Sequence, residues 1–227
     1  MNSPSSSSQA LPQIKVCGLA RLEDVRVALA AGADALGAVH YPPSPRSVEV
    51  EAMAALFTEV PAEVLTVGVV VDLAPAQVED FLARSGVRAL QLCGAQQAEA
   101  WAACPVPVLR RIPVDASGAA EVEAWRGVAA GFVLDHPRSA GGSGQTVDFQ
   151  LAAELATQAP CLLAGGLSAG NAPEAIEAVR PRGVDASSRL ELAPGRKNPA
   201  AVYAFVTAAR AALAALPSNS PSPSQRD

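Results

Sequence analysis

Leu65-Thr66-Val67-Gly68-Val69-Val70-Val71 is an almost unbroken apolar run that ends at Asp72. A strand with one face in water alternates apolar and polar residues. A parallel strand covered on both faces does not, and it reads as a continuous stretch like this one. Working outward, similar short runs begin near Ile14, Ala35, Ala89, Pro107, Gly131, Cys161 and Gly183, so that successive starts are 18 to 30 residues apart. Each interval has room for a strand, a loop, a helix and a return. Helical periodicity fills them at Leu22–Ala31, Glu49–Phe57, Ala76–Ser85, Ala98–Ala103, Ala119–Trp125, Phe149–Thr157, Ala172–Val179 and Pro199–Leu216. Eight strands, each followed by a helix, predict an all-parallel sheet. A doubly wound sheet more often stops at five or six strands and carries a Gly-rich turn after the first. Here strand one ends Val16-Cys17-Gly18-Leu19, without that turn. The count therefore predicts a closed (β/α)8 barrel, the TIM-barrel fold, in a single domain.

Composition agrees. Half of the 227 residues are hydrophobic and 17% are charged, with a mean hydropathy of +0.22, which is enough for a large core. Aromatic residues make up 4%, so that core is mostly Ala, Val and Leu. Acids outnumber bases 22 to 17, and the net charge of -5 argues against a nucleic-acid partner. No apolar run reaches the length of a membrane span, and the start has no basic or apolar signal region. Residues 1–9 and 217–227 are Ser/Pro/Asn-rich and are expected to be disordered tails around a catalytic barrel of residues 10–216. Four dispersed cysteines with no CxxC pair point to a reduced, cytoplasmic chain.

A barrel of this kind holds its active site at the C-terminal ends of its strands. Those ends carry Cys17, His40, Asp72, Cys93, Arg110 or Arg111, Asp135, Gly165-Gly166 and Ser187-Ser188. The loops after strands seven and eight often bind phosphate in barrels. Glycines there let backbone N–H groups approach an oxyanion closely. Either loop alone reads as an ordinary turn; together they point to a phosphorylated small molecule.

Cys17 closes strand one, where a thiol of lowered pKa can act as a base, whereas Cys104 and Cys161 read as buried structural thiols. Asp135 follows four apolar strand residues and suits a catalytic acid, although an Asp there can also cap a turn. Arg46 ends the stiff segment Pro42-Pro43-Ser44-Pro45, a setting for a bidentate clamp on a carboxylate. The histidines, His40 and His136, offer too few companions for a convincing metal site. The only lysines, Lys15 and Lys197, make Schiff-base chemistry a poor fit. Gly141–Gln145 reads as a mobile lid, a phosphate nest or a plain flexible loop.

Taken in order, Ile14–Leu19, Glu23-Asp24, Ala31–Gly37, Pro42–Arg46, Val67–Asp72, Leu90–Leu92, Leu134-Asp135, Gly141–Gly144, Ala164–Leu167 and Val184–Gly195 resemble the phosphoribosylanthranilate isomerase family over about residues 13 to 210. The resemblance implies a barrel enzyme of tryptophan biosynthesis. It would carry out the Amadori rearrangement of N-(5-phosphoribosyl)anthranilate to 1-(2-carboxyphenylamino)-1-deoxyribulose 5-phosphate, with no cofactor and no metal. It further implies Cys17 as general base, Asp135 as general acid, Arg46 on the anthranilate carboxylate, and Gly165, Gly166, Ser187 and Ser188 around the phosphate. A monomer is expected rather than a homodimer. Three positions depart from the family pattern: Cys93 replaces a usual His, Arg189 a usual Gly, and Gln145 a usual Lys. If that Gly takes positive φ in the family, the loop here is rearranged; Arg189 can instead add charge beside the phosphate. Two other readings compete: a metal-dependent phosphosugar epimerase using His40 and His136, and a barrel that binds a phosphorylated ligand without chemistry.

Overall fold

In the computed structural model the chain is described over residues 11–137 and 146–217. Eight parallel strands close into a barrel in sequence order: β1 Ile14–Val16, β2 Ala35–His40, β3 Leu65–Val70, β4 Ala89–Leu92, β5 Val108–Pro113, β6 Gly131–Asp135, β7 Cys161–Leu163 and β8 Gly183–Ala186. Closure is made by β8 on β1, with Lys15 beside Asp185 and Val16 beside Ala186. Among the described residues there are seven α-helices: α1 Leu22–Ala30, α2 Val50–Phe57, α3 Val78–Ser85, α4 Gly118–Ala124, α5 Phe149–Ala156, α6 Ala172–Val179 and α7 Pro199–Ala215.

Local chemistry sets these boundaries. Asp148 caps α5 by accepting from the N–H groups of Gln150 and Leu151, and Asn198 caps α7 in the same way ahead of Pro199. The expected helix over Ala98–Ala103 is instead one 3-10 turn, Ala98–Trp101. Pro105 and Pro107 follow so closely that no second turn can form before β5. A short antiparallel ribbon, β9 Glu191–Ala193 and β10 Arg196–Lys197, adds itself after β8. The expected tails and the Gly141–Gln145 loop lie outside the described residues, apart from Pro217.

Alternation along the strands splits the core in two. Ile14, Val16, Leu36, Leu90, Ile112 and Leu163 face outward onto the helices. There they meet stripes such as Val202, Phe205, Val206 and Ala209 of α7. Val67, Val69, Ala89, Leu109, Val133 and Leu162 fill the barrel interior. Nearer the C-terminal mouth polar groups join the inward rows: Lys15, Gln91 and Asp185 are buried there. That change of chemistry is where the site begins.

Candidate active site

A cavity of about 220 Å³ opens at the C-terminal mouth of the barrel. All seven residues to which the resemblance gives roles, Cys17, Arg46, Asp135, Gly165, Gly166, Ser187 and Ser188, line it, whereas His40, Asp72 and Arg110 do not. They come from the residue after β1, from the loop after β2, from β6 and from the loops after β7 and β8, so barrel closure assembles them.

Cys17 is 7% exposed and extends the inward row of β1 two residues beyond Lys15. Gly37 of β2 makes room for both. A Cβ there would meet the Cys17 Sγ at 2.9 Å and the Lys15 Nζ at 3.3 Å. Lys15 is fully buried and gives its Nζ to Asp185 Oδ2 at 2.9 Å. Burial opposes the Lys15 charge, but Asp185 and Cys17 hold its pKa above the ordinary lysine value. Burial raises the Cys17 thiol above its ordinary value; Lys15 pulls it back and Asp185 adds to the rise. Cys17 is therefore a thiol at rest with an ammonium beside it to receive the thiolate.

Asp135 ends β6. Its Oδ1 accepts from the His136 N–H at 2.8 Å, and Arg111 Nε lies 3.7 Å from its Oδ2. Burial lifts Asp135 above the ordinary carboxylate value, against the pull of that N–H and of Arg111. The strand alternation also separates the two β5 arginines. Arg111 turns toward Asp135, while Arg110 turns outward, stacks on Trp125 at 4.8 Å and bonds Gly94 O.

The two glycine-bearing loops are built differently. Gly165 and Gly166 both take positive φ, 82° and 64°, which a side chain would strain. Asn171 braces the turn by donating to Gly166 O and accepting from Ser168 N–H. After β8, Ser188–Leu190 forms a 3-10 turn, and Arg189 within it does not have positive φ. Arg46 meets this side of the mouth across Gly18, whose φ is +70° and whose Cβ would lie 2.6 Å from Ser187 Oγ and 2.8 Å from Arg46 Cδ.

Arg46 is not an empty clamp. Its Nε and Nη2 already hold the Glu191 carboxylate, Nε at 2.9 and 3.1 Å and Nη2 at 2.6 Å. His40 is turned away from the cavity, with its ring against Phe81 and Nδ1 3.0 Å from Val48 O, so a metal site combining it with His136 has no support. Among the described residues no group of three or more His, Cys, Asp or Glu is disposed to hold a metal ion. Cys93 lines the cavity; burial pushes its thiol up to about 11, and Gln91 Nε2 donates to its Sγ at 3.5 Å. Cys161 packs in the outer core and lies outside the site.

Sequence reasoning missed Lys15, Gln91, Asp185, Glu191 and Lys197. The strand period of two would have found the first three, since each stands two residues before a mouth position: Lys15 before Cys17, Gln91 before Cys93 and Asp185 before Ser187.

Residues 14–208 match the family model described as N-(5'phosphoribosyl)anthranilate (PRA) isomerase. An N-(5'-phosphoribosyl)anthranilate isomerase of Azorhizobium caulinodans is 40% identical over 89% of this chain and 93% of its own. The isomerase of Thermotoga maritima, described as dimeric, superposes with a TM-score of 0.81 at 30% identity, covering 88% of this chain and all of that one. A further isomerase structure, solved in complex with reduced 1-(o-carboxyphenylamino)-1-deoxyribulose 5-phosphate, superposes at 0.79 and 28% identity over 88% of this chain and all of its own. With its barrel intact and the family model covering most of its length, the chain belongs to the phosphoribosylanthranilate isomerase family.

Proposed function

We infer that this chain is an aldose–ketose isomerase of tryptophan biosynthesis. It converts N-(5'-phosphoribosyl)anthranilate into 1-(2-carboxyphenylamino)-1-deoxyribulose 5-phosphate. One observation carries the reading: a buried thiol, a partly buried carboxyl, an arginine and two Gly/Ser loops share one cavity. Asp135, in its carboxylic acid form, gives its proton to the furanose ring oxygen. The C1–O bond breaks, and the nitrogen lone pair forms the open-chain iminium. Cys17, as thiolate, takes the C2 proton, and that bond's electrons move to give the enolamine. Tautomerisation then yields the ketone at C2 and an amine at C1. No redox partner is needed, because the substrate is reduced at C1 and oxidised at C2.

Positioning follows from the same walls. Gly165, Gly166, Ser187 and Ser188 surround the phosphate, and Arg189 on the rim adds charge. Arg46 faces the anthranilate carboxylate. Asp185 Oδ1 and Gln91 Oε1 are buried acceptors without partners, and both residues line the cavity, so ribose hydroxyls satisfy them. The catalytic unit is the barrel body, residues 10–216.

We assign the enzyme to the cytoplasm, since its four free cysteines include two in the cavity wall. Among the described residues no helix is long and apolar enough to cross a membrane. We also assign it as a monomer. The large apolar side chains exposed among the described residues are Leu192 and Tyr203, on different elements, which is little for an obligate interface. Light scattering on the eluted peak tests that, and a mass of twice the chain contradicts it.

The function is tested with freshly made N-(5'-phosphoribosyl)anthranilate, by following the loss of its fluorescence with and without a chelator. Equal turnover in both arms is expected. No turnover in either arm refutes the reading, and chelator-sensitive turnover refutes the metal-free mechanism.

A further inference from the structure

Behind Arg46 lies a buried charge cluster that the reaction does not use directly. The ribbon after β8 pairs Glu191 with Lys197 in register. Lys197 Nζ donates to Glu191 Oε1 at 2.9 Å and to the Ser187 carbonyl at 3.1 Å. The Glu191 carboxylate also accepts from Gly195 N–H at 3.3 Å and from Arg46 through Nε and Nη2. The side chains are 11% exposed at Arg46, 4% at Glu191 and 0% at Lys197. Burial works against the Glu191 charge, but Arg46 and Lys197 more than offset it and hold the carboxyl below its ordinary range.

A carboxylate with this many donors has no lone pair to spare for a ligand. Its effect is on Arg46. A free arginine side chain samples many rotamers; here the whole Nε–Nη2 edge is held by Glu191, and the guanidinium plane with it. Nη1 is the nitrogen left to face a ligand. With two cations and one anion, the cluster carries one net positive charge, matched to one carboxylate. Because Lys197 also holds the Ser187 carbonyl, a single chain of charged contacts joins Arg46 to the loop after β8.

We propose that Glu191, braced by Lys197, is a positioning residue that aims Arg46 at the substrate carboxylate and fixes its distance from the β8 loop, thereby setting the preference for a carboxylated aryl amine. The inference rests on the function proposed above.

The experiment measures, by calorimetry, the affinity of two ligands. One is reduced 1-(o-carboxyphenylamino)-1-deoxyribulose 5-phosphate, and the other is its phenyl counterpart without the carboxylate. The proteins are the wild type, Glu191→Gln, Glu191→Asp and Lys197→Met, with melting curves for each. The wild type should favour the carboxylated ligand. Glu191→Gln and Glu191→Asp should each cut that preference by about tenfold or more, as displacement of a charged anchor does, with the phenyl ligand unchanged within about twofold. Lys197→Met should shift the preference the same way, and KM should rise more than kcat falls. An undiminished or increased preference in Glu191→Gln overturns the proposal; increased preference is what added positive charge alone would produce. If Glu191→Gln does not fold, Glu191→Asp, which keeps the charge but shortens its reach, decides by the same criterion. A wild type that turns over substrate while the variants keep their preference refutes this inference alone. A wild type that binds neither ligand refutes the function, and the inference with it.

Discussion

Replacing Lys15 with Met removes one half of an ion pair that the barrel interior cannot easily do without. Lys15 is fully buried, and the Asp185 side chain, 2.9 Å away, is 8% exposed. Met matches the lysine stem but not its charge, so Asp185 is left as an unpaired carboxylate beside a cavity. Removing one partner of a buried pair typically costs about 3–5 kcal/mol. For a domain of this size, that corresponds to a fall in Tm of roughly 6–20 °C. Replacing both partners, as in Lys15→Met/Asp185→Asn, removes the stranded charge, so the double variant should recover much of the loss. Urea unfolding at neutral pH gives both quantities, and the coupling should be several kcal/mol. The chemistry should respond as well. Lys15 is the leading influence that pulls the Cys17 thiol down, so without it the thiolate becomes scarcer and the alkaline limb of the rate profile moves to higher pH. A Lys15→Met loss below about 1 kcal/mol, or a double variant no more stable than the single, refutes the reasoning.

Other outcomes follow from the same geometry. At low pH both Cys17 and Asp135 are protonated and the base is lost; at high pH both are ionised and the acid is lost. With Asp135 titrating below Cys17, kcat/KM should rise through Asp135, above the ordinary carboxylate value, and fall through Cys17, above the ordinary thiol value. A profile that already falls between pH 6 and 7 contradicts this order. Arg46→Ala should raise KM and also lower stability by about 1–3 kcal/mol, since Glu191 keeps only Lys197 as a charged partner; an unchanged KM would leave Arg46 as a purely structural residue. Gly18→Ala forces a Cβ to within 2.6 Å of Ser187 Oγ at φ +70°, so KM should rise through displaced Ser187 and Arg46, and wild-type kinetics would contradict that account.

The barrel was legible because strand and helix periods repeat cleanly. Seven of the eight strands begin at the residue expected, and β5 begins one residue late, at Val108 rather than Pro107, which has no N–H for the ladder. The 3-10 turn after β4 reads as a helix in sequence because its few apolar positions fit a helical period, while the prolines that forbid a helix lie beyond its end. Strand ends named residues that share one cavity, since closure must bring them to one mouth. They did not reveal the charge beneath that mouth. Read in isolation, Lys15 bears only on Schiff-base chemistry, although its spacing from Cys17 places both on one strand face. Glu191 and Lys197 were invisible for a different reason. They sit in a ribbon outside the repeating unit, and nothing local in Glu191–Lys197 indicates that Arg46, 145 residues earlier in the chain, completes the cluster.

The central claim is that one carboxyl and one thiol, held on β6 and at the end of β1, move the protons of the rearrangement. It is tested most directly by single-turnover fluorescence decay of N-(5'-phosphoribosyl)anthranilate with the wild type, Asp135→Asn and Cys17→Ala, together with the affinity of each for the reduced product analogue. Asp135→Asn keeps shape and hydrogen bonding but has no proton to deliver, and Cys17→Ala removes the base with little packing loss. Each should slow the decay by about 100-fold or more while binding the analogue within a few-fold of the wild type. Decay within about tenfold of the wild type in either variant would contradict the assignment, since general acid or base catalysis normally contributes more than that.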